Sequence, residues 1–159
     1  MADDPRDLHF AITRANADYA RCIDDDRLEE WPDFFVENCH YLITDRASHR
    51  EGLRHGVIYA ANRAMLADRV TSLRRVLVFE PHRYRHVIGL VRIDKIADGV
   101  AETRANFIAV RIMHNGDTAL FTTGRYLDRI DVGTAPYRFI ERLVVLDSEK
   151  IDTLLVVPL

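Results

Sequence analysis

The tightest constraint on this chain lies in its second half, where runs of alternating side chains are separated by glycine turns. Ala101, Thr103, Ala105, Phe107 and Ala109 fall on one side of an extended backbone, and Glu102, Arg104 and Asn106 fall on the other. Asp98-Gly99 and Asn115-Gly116 bracket that run. Such dipeptides favour type I′ hairpins, in which both central residues take positive φ. Gly133 serves the turn that follows. Strands are therefore predicted over residues 85–96, 100–113, 119–130 and 137–146, with a short one at 76–79 stopped by Glu80-Pro81.

The first third reads as helical. From 7 to 23, Leu8, Ala11, Ile12, Ala15, Tyr19 and Cys22 keep the 3.6-residue spacing of one buried face. Asp24-Asp25-Asp26 ends that element, and Asp26 with Glu29 has the spacing of a capping box for a second helical stretch. That stretch carries Leu28, Trp31, Phe34 and Phe35, with Pro32 set to break or restart it. A short strand at 39–44, a polar irregular segment at 47–56 and a third helix at about 57–69 complete the pattern. Helices followed by a strand meander give an α+β fold, one domain over residues 1–159. The sheet must curl around its helices, so a cone with a pocket or a filled core is expected.

Composition excludes several classes. Hydrophobic residues make up 48% and charged residues 30%, which suits a folded globular chain. No apolar run is long enough to span a bilayer, and the acidic N-terminus lacks a signal-peptide core. With only Cys22 and Cys39, a chain this size needs no disulfide, and a reducing cytoplasm is expected. Twenty of the 22 basic residues are Arg, the exceptions being Lys95 and Lys150. Two explanations fit: charge-paired protein contacts, for which the planar guanidinium is suited, and a high-GC genome. No basic stripe survives the interleaved acids, so nucleic acid is a poor partner.

The chemistry-bearing residues give no catalytic signature. His82 and His86 share a strand face with Glu80, but four extended residues place the rings roughly 13 Å apart at ~3.3 Å per residue. That span is too long for one metal without a bulge. The simpler reading is a ladder of alternating Arg and His, solvated or paired with acids of a neighbouring chain. Cys39-His40 is adjacent and Cys22 stands alone, whereas a Rieske cluster needs two Cys and two His in paired motifs. An acid–base pocket inside the cone would draw on Asp24, Tyr19, Tyr41, Tyr59, His86 and Asn106. Against that stand capping for Asp24, core packing for the tyrosines and face-filling for Asn106.

Three stretches in order along the chain carry a resemblance: residues 24–41 (DDDRLEEWPDFFVENCHY), 79–89 (FEPHRYRHVIG) and 139–159 (FIERLVVLDSEKIDTLLVVPL). They resemble the beta subunits of aromatic ring-hydroxylating oxygenases, most closely those of the salicylate, anthranilate, terephthalate and benzoate type. The resemblance implies a nuclear transport factor 2-like cone, with N-terminal helices packed in a strongly curved, mixed but mostly antiparallel sheet. It implies a structural small subunit without cofactor or catalytic residue. A large (alpha) subunit would carry the Rieske 2Fe-2S cluster and the mononuclear iron. Three large and three small chains would assemble, with the small ones self-associating as a trimer, served by a reductase or ferredoxin. Arg74, Arg75, Arg83, Arg85 and His86 become a candidate interface, and so do Leu154, Leu155 and Leu159 of the apolar end. Alanine at Arg83 and Arg85 together is expected to weaken assembly. Two other readings remain open at this point: a stand-alone isomerase or dehydratase, and a small-ligand-binding module.

Overall fold

The computed structural model describes residues 4–150 and 155–159. Helix α1 (Pro5–Asp24) starts where the Asp4 carboxylate accepts the Arg6 N–H at 2.8 Å and Pro5 opens the first turn. Its buried face is Leu8, Ile12, Asn16, Tyr19, Ala20, Cys22, Ile23 and Asp24, close to the predicted stripe. The capping box predicted next does not form. Asp26 takes a positive φ of 58° just beyond α1, and Leu28–Phe34 is a 3₁₀ helix with no side-chain cap. Pro32 lies inside it, where its missing N–H and fixed ring rule out an α-helical ladder.

Strand β1 (Phe35–Asp45) is longer than predicted at its N-terminal end. The segment read as irregular holds a short helix, α2 (Arg46–Arg50), capped by Asp45, whose carboxylate accepts the Ser48 N–H at 2.8 Å. The helix predicted over 57–69 is instead strand β2 (Ile58–Ala60) followed by α3 (Arg63–Arg75). Ile58 and Ala60 are buried and Tyr59 is exposed, a period of two, and Asn62 supplies the true cap through the Met65 N–H at 2.9 Å. Residues 76–79 form no strand, and Val78 is 99% exposed.

The strand predicted over 85–96 splits into β3 (His82–Ile88) and β4 (Arg92–Ala97). Both pair antiparallel with the long β5 (Val100–Met113), one with each half of it. Strands β6 (Thr118–Asp131) and β7 (Arg138–Leu146) follow, and the sheet runs β2-β1-β7-β6-β5-β3 with β4 also on β5. Only β1 and β7 are parallel neighbours among these pairs. Asp98 and Gly99 both have positive φ, as a type I′ turn requires. At Asn115-Gly116 only Gly116 does, because residues 114–117 form a longer connection in which Asn115 accepts the Asp117 N–H. Register breaks between β1 and β7, β4 and β5, β5 and β6, and β6 and β7 mark bulges, which sharpen the bend of a sheet.

The inner sheet face closes on α1 and the 3₁₀ helix. Trp31, Tyr19, Tyr41, Tyr126, Phe35 and Phe139 are fully buried there, meeting mostly edge to face, as with Trp31 and Tyr41 at 5.1 Å. Leu155 and Leu159 are also buried, so the apolar end packs into the chain's own core. Leu154 lies outside the described residues.

Candidate functional site

The interior is not wholly apolar. Arg142 on β7 is fully buried, and its Nε and one terminal nitrogen donate to the two Asp128 oxygens on β6 at 2.9 and 2.7 Å. Register sets this pair directly opposite across two strands. The same guanidinium donates to Asn16 Oδ1 on α1, and its carbon lies 4.2, 4.0 and 3.9 Å from the ring centres of Tyr19, Tyr126 and Phe139. Burial works against the charge on Arg142, but Asp128 outweighs it and holds the guanidinium above its ordinary pKa. Burial pushes the Asp128 carboxyl up against the pull of Arg142. The pair ties α1 to the sheet in one register.

A second polar knot closes the end of the chain. The Tyr19 and Tyr41 hydroxyls donate to the Leu159 main-chain oxygen at 2.8 and 2.9 Å, and the Leu159 N–H donates back to Tyr41 at 3.1 Å. Burial raises both phenols, Tyr41 far above its ordinary range. These are donors held in place rather than acids poised to titrate.

The third polar group joins α1 to β3. Asp24 Oδ1 lies 2.6 Å from His86 Nδ1, and Oδ2 accepts the His86 backbone N–H at 2.9 Å. A concavity of about 240 Å³ between α1 and residues 85–91 has Asn16, Asp24 and His86 in its wall. A larger one, about 630 Å³, lies between α1, the 3₁₀ helix and the β6–β7 connection, away from all three polar groups.

Of the pocket residues weighed from sequence, the fold brings Asp24 to His86 and Tyr19 to Tyr41. Tyr59 and Asn106 face outward. Arg142, Asp128 and Asn16 escaped the sequence reading. A signal existed, since Arg142 shares strand parity with Val144 and Leu146, and Asp128 with Tyr126 and Ile130. The candidate interface divides. His86 has a fully buried side chain bonded to its own chain's Asp24, so it belongs to no solvated ladder. Arg74 is engaged within the chain, donating to Asp26 and Glu29 at 2.8 to 3.1 Å. Leu155 and Leu159 are core residues. Arg75, Arg83 and Arg85 stay exposed.

Beside Arg83 and Arg85 the outer sheet face is apolar. Val87 pairs with Ile108, and Arg85 with Val110, which pairs with Leu120. Val87, Ile108 and Leu120 are 57%, 43% and 65% exposed.

Comparison with known proteins places this architecture. The family model for "Ring hydroxylating beta subunit" matches residues 18–153. The chain belongs to that family. It is 42% identical to the terephthalate 1,2-dioxygenase terminal oxygenase component subunit beta 2 of Comamonas sp., over 93% of this chain and 96% of that one. It is 33% identical to the anthranilate 1,2-dioxygenase small subunit of Burkholderia cepacia, over 94% and 93% of the two chains. The solved beta subunit of an aromatic-ring-hydroxylating dioxygenase from Novosphingobium aromaticivorans superposes with a TM-score of 0.88 at 34% identity, covering 97% of this chain and 98% of that one. A scytalone dehydratase-like protein from the same organism shares the cone, with a TM-score of 0.73 over 99% and 95% of the chains, but at 18% identity it speaks for fold alone. As a ring-hydroxylating beta subunit, the chain is a component of a multi-subunit oxygenase and partners a large subunit.

Proposed function

We propose that this beta subunit is a non-catalytic scaffold. On this reading it holds iron-bearing large subunits together, three of each chain, in an oxygenase that opens the degradation of an aromatic acid. Terephthalate and anthranilate, named for two relatives, are both aromatic carboxylates. The large chain would carry the Rieske cluster and the mononuclear iron, with electrons arriving through a reductase or ferredoxin. The donor set on this chain does not fit such a cluster. Cys22 donates its thiol to the Arg27 carbonyl, and burial pushes it up to about 11. Among the described residues no three His, Cys, Asp or Glu converge as metal ligands. No step is therefore assigned to these residues. Two free, buried cysteines suit a reducing cytoplasm.

The observation that carries the scaffold reading is the outer face of β3, β5 and β6. An apolar strip of Val87, Ile108, Val110 and Leu120, bordered by Arg83 and Arg85, has the character of an interface centre with a polar rim. We assign it to the large subunit. Val87→Asp with Leu120→Asp alters exposed positions, so the melting temperature should stay within a few degrees of wild type. Co-purification with the large subunit should fall at least about tenfold, as two buried charges at an interface imply. Arg83→Ala with Arg85→Ala should weaken it less and make it less salt-sensitive. Wild-type recovery of complex by the aspartate pair would reject this surface.

A further inference from the structure

Residues 76–79 are apolar enough to be read as a strand, yet they pair with no strand. Val76, Leu77 and Val78 are 72%, 37% and 99% exposed. The segment is anchored at its start, where the Val76 and Leu77 N–H groups both donate to the Ser72 carbonyl at 2.9 and 3.0 Å. Arg75 beside it is exposed and makes no hydrogen bond or ion pair among the described residues. Adjacent exposed apolar side chains with an unpaired guanidinium at one end have the character of a docking element.

The concavity of about 630 Å³ between α1, the 3₁₀ helix and the β6–β7 connection is of the complementary kind. Ala11, Ala15, Phe34, Ala135 and Pro136 give it an apolar lining. Asp18, Glu30 and Asp33 put three carboxylates beside the two guanidiniums of Arg14 and Arg138. Arg14 lies 3.8 Å from Asp18, and Glu30 takes Arg27 at 2.6 Å. Arg138 donates to the Asp33 carbonyl at 3.2 Å, which leaves the Asp33 carboxylate without a partner among the described residues. Length agrees as well. Arg75 to Val78 covers roughly 10 Å in extended form, and α1 from Ala11 to Asp18 also runs roughly 10 Å.

Within one molecule the segment and the groove stay apart, because Val78 is fully in water. They flank one short element. Arg74 fastens the start of the segment to Asp26 and Glu29 at the entry of the 3₁₀ helix, and the groove uses Asp33 and Phe34 at its exit.

We infer that residues 75–78 of one copy of this chain seat in the groove of the next, with Arg75 against Asp33. Two different surfaces meeting head to tail form a ring when the rotation closes. Three copies is the number of the scaffold reading, and the inference rests on that reading for this number alone. It adds how the small chains join. No residue of the outer sheet face takes part, so that face stays open to the large subunit.

The test is the native mass of the full chain alone, by analytical ultracentrifugation over a dilution series. Wild type should run as three copies. Val78→Asp alters an exposed position, so the melting temperature should stay within a few degrees of wild type. Its trimer should need at least about tenfold more protein to form. Arg75→Asp and Asp33→Arg should each weaken the trimer. Both swaps in one chain should restore it, because every contact between positions 75 and 33 then returns with its charges reversed. Val87→Asp with Leu120→Asp should leave the mass unchanged, which separates this contact from the one assigned to the large subunit. A wild-type chain that forms no trimer up to roughly 100 µM overturns the inference. So does a Val78→Asp chain as trimeric as wild type, a double swap no stronger than either single one, or a trimer lost with the outer-face pair. A trimer that passes these tests but ignores the large subunit counts against the scaffold reading alone.

Discussion

Truncating Arg142 to alanine would strand the Asp128 carboxylate in the core, where burial already pushes its carboxyl up. Breaking a buried ion pair from one side costs about 3–5 kcal/mol, because the remaining charge has neither water nor partner. Arg142→Ala should therefore lower the unfolding free energy by about that amount in a urea titration. Arg142→Met combined with Asp128→Leu should recover most of it, since an apolar pair of similar volume removes both charges together. A loss under about 1 kcal/mol for the single variant would mean that the pair is solvated, contrary to its 0% and 2% side-chain exposure. At this scale the sequence was only partly legible. Asp24 was read as a helix terminator, which it is, but its bond to His86 joins residues 62 apart and no local pattern announces that. The 82–86 run was read as one ladder of Arg and His, whereas the strand turns Arg83 and Arg85 out and Tyr84 and His86 in.

Elements depend on contacts that cap and staple them. Arg74, in the last turn of α3, donates to both carboxylate oxygens of Asp26, to the Asp26 carbonyl and to Glu29, fastening the helix to the entry of the 3₁₀ segment. The carboxylates are well exposed, so the whole knot is worth roughly 1 kcal/mol. Arg74→Ala should lower the melting temperature by a few degrees at neutral pH and low salt. Arg74 holds the Glu29 carboxyl below its ordinary range. A depressed carboxyl stabilises the fold above its unfolded pKa, roughly 4.3 for Glu. The difference between variant and wild type should thus be full near neutrality and fade as the pH drops through 4.3 and the lower folded value. A difference that persists at pH 2 would show that Arg74 acts through packing instead. The strands from 100 to 146 were legible because alternation and glycine turns agreed with each other. The 57–69 region was not, because Val57, Ile58, Tyr59 and Ala60 satisfy helical and extended periods alike. Only the pairing of Ile58 with Ile43 decides between them.

At the scale of the molecule, the inner face of the sheet is filled by the chain itself, down to Leu159, and the outer face carries the exposed apolar strip. The resemblance carried by residues 24–41, 79–89 and 139–159 led to the family and to the cone, because such stretches record the fold as a whole. It pointed to the surface proposed for the large subunit only through Arg83 and Arg85. The apolar end reads as sticky in sequence, yet it is satisfied by its own core, while Val87, Ile108 and Leu120 come together only through strand register. The central claim is that this surface serves a large, iron-bearing partner. The most direct measurement is the native mass and iron content of this chain produced with and without its large subunit. The account predicts a complex of three large and three small chains, with iron present only when the large chain is. An iron-free small oligomer that ignores the large chain would contradict it.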